Sequence, residues 1–159
     1  MANKKIKNAT NVSSDGLEFK SKLEYRCFCL LKEAGYDPKY EEDTFIIQDG
    51  FYPRMPCYDE NYVYKAKQRL FGLSSQKVRP ITYTPDFTFY IGDILIVIEV
   101  KGKENDVFPV KKKLFRKWME NFYLSTKQKI IYFEVFNKKE MIRTIEIIKE
   151  YEKQFTINN

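Results

Sequence analysis

The chain of 159 residues contains no histidine. This absence excludes Ser-His-Asp and Cys-His nucleophile systems, histidine general bases and zinc sites that use histidine. It also excludes the nucleases that activate water with a histidine. Any acid–base chemistry must therefore come from carboxylates, lysine or tyrosine, or from water bound to a metal ion.

Cysteine is scarce and long apolar runs are missing. The three cysteines are Cys27, Cys29 and Cys57. An odd count without a recognisable signal peptide predicts a reducing, cytoplasmic setting. The spacing of Cys27 and Cys29 resembles half of a metal site, but no second pair follows, so core thiols in a helix are the favoured interpretation. No stretch approaches the roughly 20 apolar residues of a membrane span, so we expect no membrane partner.

The length and charge of the chain indicate one basic domain. A chain of 159 residues can bury one substantial core. The net charge of +6 favours anionic partners such as DNA. We expect residues 1–18 to form a flexible basic arm and residues 19–159 a single domain. A tyrosine-rich excursion at about residues 49–79 would contain a short helix at 61–70, and its aromatic and basic residues either contact nucleic acid or stabilise the loop.

Residues 81–102 organise the chain. They contain two apolar runs joined by Gly92-Asp93, which is a two-residue hairpin signal. Such a turn fixes the strand register and places Asp86 opposite Glu99, with Lys101 returning to the same face. Facing like charges destabilise a sheet. A divalent cation held by oxygen ligands would offset that cost, which indicates a metal-dependent hydrolase.

Residues 21–34 are predicted to form a helix closed by Gly35. Glu24 lies at the border of its apolar stripe and has two interpretations. It can face a cleft between helix and sheet, or it can complete a capping box with Ser21 and serve only the helix start. Spacing alone leaves both open.

The remaining elements complete an α/β pattern. We expect strands at residues 40–48 and 129–136, a helix at 110–123 with Pro109 in its first turn, and a last helix opened by an Asn137/Glu140 capping box. Helices would flank a mixed four-stranded sheet. The predicted fold class is therefore α/β.

The helix at residues 110–123 is unusually basic at its start. Positive charge is unfavourable near a helix N-terminus, because the helix macrodipole is already positive there. We interpret this local cost as a sign of phosphate contact rather than of a plain solvated face. The candidate DNA-binding residues are Lys111, Lys113, Arg116 and Lys117.

The combination of these motifs resembles the PD-(D/E)xK nuclease superfamily. The residues that carry the resemblance are Pro85-Asp86 and Glu99-Val100-Lys101, preceded by a helix with Glu24 and followed by the basic helix. Their wording is similar to small phage-encoded endonucleases related to phage endonuclease I, the Holliday junction resolvases. The resemblance covers roughly residues 19–123. It implies a restriction-endonuclease-like αβββαβ core.

The resemblance also implies roles for these residues. Asp86, Glu99 and the Val100 carbonyl would bind Mg²⁺ or Mn²⁺, and Glu24 would complete the site directly or through water. Lys101 would orient or deprotonate the attacking water. The implied protein is a homodimeric, Mg²⁺-dependent endonuclease that acts on branched or junction DNA in phage DNA processing, in the cytoplasm of a bacterial host.

Besides a phage interaction protein that blocks a host factor, which no feature of the sequence predicts, two other functions remain open on the sequence alone. The chain could be a sequence-directed nuclease of the restriction or transposon type, because transposon end-cleaving subunits carry a similar arrangement. It could also be a nucleic-acid-binding module that keeps the fold without catalysis. The second would bind DNA without a divalent ion and would not cleave it.

Overall fold

The computed structural model describes residues 11–14, 16–63, 67–74, 76–102 and 107–157. Within them lie three helices and ten strands: α1 (Lys22–Glu33), α2 (Phe108–Thr126), α3 (Lys138–Ile157), β1 (Val12–Ser14), β2 (Leu17–Phe19), β3 (Lys39–Tyr40), β4 (Phe45–Gln48), β5 (Tyr58–Val63), β6 (Gln68–Leu73), β7 (Ile81–Tyr83), β8 (Phe87–Ile91), β9 (Ile94–Val100) and β10 (Lys129–Val135). No helix in these described ranges is long and apolar enough to cross a membrane. The chain divides into two compact units, Met1–Thr44 with Thr84–Asn159, and Phe45–Tyr83.

The first unit is built on a four-stranded sheet with the order β10-β9-β8-β3. The β9 and β10 strands are parallel, whereas β8 runs antiparallel to both of its neighbours. Along the chain these strands and helices follow the order α1-β3-β8-β9-α2-β10-α3. The predicted α/β fold with a mixed four-stranded sheet and flanking helices is confirmed.

The β9 strand lies at the centre of this unit. All seven of its residues are buried, as the nearly continuous apolar run predicts for a strand covered on both faces. On one face Ile94, Ile96, Ile98 and Val100 join the core formed with α1 and α3. The opposite face carries Glu99. Because successive side chains of a strand point to opposite faces, β9 provides core residues on one face and Glu99 on the other.

The predicted ends of α1 and the predicted start of α3 are confirmed. Ser21 caps α1, and Gly35 follows its last turn with φ +93°, a conformation that glycine adopts without strain. In α3, the Glu140 backbone N–H donates to Asn137 Oδ1 at 3.0 Å. Met141, Ile145 and Ile148 form the buried face of α3.

The α2 helix is longer than the predicted helix at residues 110–123, and two of its aromatic residues, Trp118 and Phe122, are only partly buried. Pro109 lies in the first turn, as expected. Phe115 is fully buried. Ring stacking joins Phe115 to Trp118 and Trp118 to Phe122. The helix therefore contacts the sheet mainly through Phe115.

The single strand predicted at residues 40–48 is wrong. The structure divides it into β3, which pairs with β8, and β4, which pairs with β7 in the second unit. The break begins at Glu41, whose φ of +50° is incompatible with an extended strand. The strand predicted from residue 81 is also divided in two, because residues 84–86 separate β7 from β8.

The helix predicted at residues 61–70 is also wrong. The second unit instead contains an antiparallel pair of β5 and β6, in a register that runs from Tyr58 opposite Leu73 to Val63 opposite Gln68. Tyrosine and valine in β5 favour strands, and Lys67 has the positive φ of a turn residue. Tyr58 and Phe71 stack with their ring centroids 6.3 Å apart, and both are exposed.

Part of the predicted N-terminal arm is paired. The β1 and β2 strands form an antiparallel hairpin that places Val12 opposite Phe19. Phe19 is fully buried and packs against Tyr40, with ring centroids 4.6 Å apart. Residues 1–10, the rest of that arm, lie outside the described residues.

Candidate active site

The β8–β9 hairpin has the predicted register. Ile91 pairs with Ile94 and Phe87 pairs with Ile98, so one further step places Asp86 opposite Glu99. Both carboxylates are buried, at 7% and 4% exposure. Asp86 Oδ2 accepts a hydrogen bond from the Val100 backbone N–H at 2.6 Å. The structure therefore brings this predicted pair together at the end of two central strands.

Asp86 lies in an environment that opposes its charge. Burial raises the pKa of Asp86 well above its usual value, and the negative charges of Glu99 and Glu24 raise it further. The hydrogen bond from Val100 and the positive charge of Lys101 act in the opposite direction but do not outweigh these effects. The ionised form of Asp86 is therefore disfavoured in the metal-free protein.

Lys101 follows β9 and is held from two sides. Its ammonium forms an ion pair with Glu99, and its backbone N–H donates to the Val135 carbonyl at 2.8 Å. Burial lowers the pKa of Lys101, but the charge of Glu99 and a hydrogen bond to it outweigh burial, and the net shift is upward. Lys101 therefore remains a charged ammonium at neutral pH, with Nζ 4.4 Å from the centroid of the Phe108 ring.

Glu24 completes the predicted capping box, whereas its predicted position in a cleft between helix and sheet stays a prediction. Its backbone N–H donates to Ser21 Oγ, and its carboxylate accepts hydrogen bonds from the Lys20 N–H, the Ser21 hydroxyl and the Tyr40 hydroxyl, at 3.0, 2.8 and 2.6 Å. It caps α1, and yet it is buried at 8% exposure. Its charge contributes to the raised pKa of both Asp86 and Lys101. The capping residue is thus also an electrostatic neighbour of the facing pair.

Cys27 lies one turn after Glu24 and is fully buried. Burial raises the pKa of its thiol to about 12, and the charges of Asp86 and Glu24 add to that effect. The thiol therefore stays protonated and unreactive at neutral pH. This agrees with the core role predicted for it, and the other two cysteines are likewise free thiols.

Glu134 and Lys112 form a part of the site that the sequence did not predict. The parallel register of β9 and β10 places Glu134 beside Glu99. Glu134 Oε2 forms an ion pair with Lys112 of α2, while its Oε1 is buried without a hydrogen-bond partner among the described residues. No spacing rule could have found this pair, because the register of β10 depends on the α2 crossover that precedes it.

The four predicted DNA-binding residues all lie on α2. Lys113, Arg116 and Lys117 are exposed, and Lys111 is half-buried. The helix begins without a side-chain cap and without an acidic residue in its first turn. Positive charge therefore accumulates at this end of α2, but contact of these residues with DNA stays a prediction.

The oxygen atoms of the facing pair suit a hard cation. The described residues contain no group of three or more His, Cys, Asp or Glu side chains arranged to hold a metal. Mg²⁺ commonly binds through one or two carboxylates together with substrate phosphates, and it keeps several waters. Asp86 and Glu99, with the Val100 carbonyl between Glu99 and Lys101, fit that mode of binding rather than a closed cage of protein ligands.

Comparison with known proteins gives one family. Residues 4–135 match the profile of a family described as "Protein of unknown function (DUF1064)". No curated protein and no solved structure matches the chain. The matched range includes Glu24, Asp86, Glu99, Lys101 and Glu134.

Proposed function

The chain belongs to the DUF1064 family, and we propose that it is a metal-dependent endonuclease that hydrolyses phosphodiester bonds in DNA. The observation that carries this proposal is the buried Asp86–Glu99 pair with the Lys101 ammonium beside it. Two facing carboxylates reduce stability unless a cation is added. A ligand that provides positive charge explains why the pair is buried.

Asp86, Glu99 and the Val100 carbonyl would hold Mg²⁺ or Mn²⁺, and Glu24 would complete the site directly or through a water. The bound ion would lower the pKa of a coordinated water and stabilise negative charge on the scissile phosphate. All of these ligand atoms are oxygens, which is the donor type that both ions prefer.

Lys101 has a positioning and charge-balancing role in this proposal. An ammonium has three donors, and Glu99 is the carboxylate with which it forms an ion pair. The remaining donors can hold the attacking water or a phosphate oxygen.

Glu24 has a fixed orientation that supports the site. Its carboxylate is held by a backbone N–H and two hydroxyl groups, and the Tyr40 hydroxyl comes from a neighbouring strand of the same unit. Burial and the hydrogen bond to Glu24 raise the pKa of Tyr40, so Tyr40 remains a neutral donor. In the proposed enzyme Glu24 would bind the metal or one of its waters.

The proposed substrate is branched or junction DNA, and the proposed assembly is a homodimer. The net charge of +6 and the exposed cations of α2 support an anionic substrate. The choice of branched DNA and of a dimer that places two sites on one junction rests on the resemblance to junction resolvases. A cytoplasmic location belongs to the same proposal.

A binding module without catalysis is the second candidate. It is favoured by one observation, namely that Glu24 and Lys101 already have partners within the chain. Both residues therefore have structural roles that need no reaction. Such a protein would bind DNA equally well in EDTA.

The test is cleavage of a labelled four-way junction and of a linear duplex with the same arm sequences, in Mg²⁺, Mn²⁺ or EDTA. Wild type is compared with Asp86→Asn and Lys101→Ala. We expect paired nicks on the junction that require a divalent ion and that both variants lose. Equal cutting of the linear duplex would redirect the substrate toward a sequence-directed nuclease. Binding without cutting in any ion would support the binding module.

A further inference from the structure

A second glutamate–lysine pair lies beside the predicted motif. Glu99 of β9 and Glu134 of β10 are adjacent in the parallel register, and neighbouring residues of a sheet share one face. Glu99 forms its ion pair with Lys101, and Glu134 forms its ion pair with Lys112. The two lysine side chains have similar exposures, at 23% and 25%. One pair belongs to the predicted motif, and the other does not.

Phe108 connects the two pairs. Its ring is buried, and the ring centroid lies 4.4 Å from Lys101 Nζ and 5.9 Å from Lys112 Nζ. Both ammonium groups therefore contact the same aromatic ring, which favours their charged forms through cation–π attraction. Lys112 is thereby held close to Lys101, in contrast to its neighbour Lys113, which is exposed.

The Glu134–Lys112 pair is not explained by stability alone. Glu134 Oε1 is buried without a hydrogen-bond partner among the described residues, which is unfavourable. A well-packed apolar pair at such a position is commonly as stable as an ion pair or more so. One carboxylate contact also leaves donors of the Lys112 ammonium for a further acceptor.

We propose that Lys112 binds a DNA phosphate next to the scissile one and that Glu134 positions it for that contact. This inference rests on the proposed endonuclease function. The charges of Glu134 and Lys112 balance each other, so we do not expect Glu134 to bind a second cation. The facing Asp86–Glu99 pair would hold the metal ion, and the ammonium groups of Lys101 and Lys112 would contact the phosphates.

The test uses Lys112→Met, Lys112→Arg and Glu134→Gln. The matched control is Lys149→Met, because Lys149 is an exposed lysine on α3. Single-turnover cleavage is measured at saturating junction DNA, and DNA affinity is measured in EDTA at several salt concentrations. Thermal unfolding of every variant shows whether it is folded under the assay conditions.

We expect Lys112→Met to reduce the single-turnover rate by about 10- to 100-fold through misplacement of the phosphate. It should also reduce the salt dependence of binding by about one phosphate contact. Lys112→Arg should restore binding and part of the rate. Glu134→Gln should have a smaller effect, and adding it to Lys112→Met should cause no further loss, because Glu134 acts through Lys112. Lys149→Met should cleave like wild type.

A wild-type cleavage rate and salt dependence in Lys112→Met, with reduced thermal stability only, would overturn the inference and leave a structural ion pair. The endonuclease proposal would survive that result. Conversely, if wild type binds DNA but cuts none, the endonuclease proposal fails while the salt dependence still decides the role of Lys112. Absence of DNA binding by wild type would overturn both.

Discussion

Two helices of this protein begin with the same hydrogen-bond pattern in different surroundings. At α1, Glu24 Oε2 accepts from the Lys20 N–H at 3.0 Å and Oε1 accepts from the Ser21 side chain at 2.8 Å. At α3, Glu140 Oε2 accepts from the Phe136 N–H at 2.7 Å and Oε1 from the Asn137 side chain at 2.8 Å. Both are variants of the capping box.

The two glutamates differ in everything beyond the cap. Glu140 is exposed, whereas Glu24 is buried, accepts a third hydrogen bond from Tyr40 and acts electrostatically on Asp86. A cap needs neither burial nor a third donor. Capping therefore explains part of the environment of Glu24 but neither its burial nor its hydrogen bond from Tyr40. Glu140 is the matched control for the role of Glu24 beyond capping.

The largest effect is predicted for Asp86→Asn, which removes the carboxylate on which Glu24 acts electrostatically. Asp86→Asn keeps an oxygen that can accept the Val100 hydrogen bond but loses the negative charge needed for the metal. We expect the single-turnover cleavage rate to fall by about a thousandfold, measured on junction DNA in Mg²⁺. A second substitution, Glu24→Gln, should then have no additional effect. Normal cleavage by Asp86→Asn would mean that Asp86 is no metal ligand.

The next effect compares the two caps directly. Glu24→Gln should reduce cleavage by about 10- to 100-fold, the range typical of groups that support a metal site. Glu140→Gln should leave cleavage within about twofold of wild type, since it has only a capping role. Both rates are measured under the same single-turnover conditions. Equal rates in the two variants would reduce Glu24 to a cap.

A smaller effect concerns the third hydrogen bond of Glu24. Tyr40→Phe should lower the free energy of unfolding by about 1–2 kcal/mol and should reduce cleavage by a few-fold. Tyr36→Phe is the control, because the Tyr36 hydroxyl donates to Glu152 Oε2 at 2.9 Å and belongs to no predicted site. It should lose similar stability, by chemical denaturation, without a change in cleavage. A parallel loss of cleavage in both would point to stability alone.

The smallest effect is a dependence of stability on pH without metal. Because the folded-state pKa of Asp86 is raised, its contribution to stability is present below the usual carboxyl pKa of about 3.9 and is lost as the pH rises through the folded value. Asp86→Asn should therefore be as stable as wild type below a pH of about 3.9. At neutral pH it should be more stable than wild type by about 1 kcal/mol. Thermal unfolding in EDTA measures this difference.

Asp37→Asn is a control for which we expect the opposite dependence of stability on pH. A hydrogen bond from Lys32 lowers the pKa of Asp37, so that residue contributes stability above its usual pKa and loses it as the pH falls. Asp37→Asn should be less stable than wild type at neutral pH and equal to it at low pH. The same trend in both variants would show that Asp86 carries no unfavourable charge.

Local sequence signals predicted most of the first unit. Gly92-Asp93 determined the hairpin register, and Ser21, Gly35 and the Asn137/Glu140 motif marked helix ends correctly. These signals depend on residues within a few positions of one another. The facing of Asp86 and Glu99 therefore follows from the turn between their strands, without any information from distant parts of the chain.

The failures lie where distant contacts decide. Glu41 takes a positive φ, which divides one predicted strand into two, and no local signal marks it. The β5–β6 hairpin is an exception, because Val63 pairs with Gln68 only a few residues away, and the strand preference of tyrosine and valine in β5 was a local signal that the helix prediction missed. Glu134 and Lys112 meet only through the crossover from α2 to β10. The predicted part of the site is thus the hairpin, and the missed part is what the crossover adds.

The most direct test of the account is binding of Mn²⁺ to metal-free protein, followed by the electron paramagnetic resonance signal of the free ion. Wild type, Asp86→Asn and Glu140→Gln are titrated at neutral and at mildly alkaline pH. We expect wild type and Glu140→Gln to bind Mn²⁺ equally and Asp86→Asn to lose the site. Binding that is unchanged in Asp86→Asn, or absent in wild type, would contradict a metal centre at the Asp86–Glu99 pair.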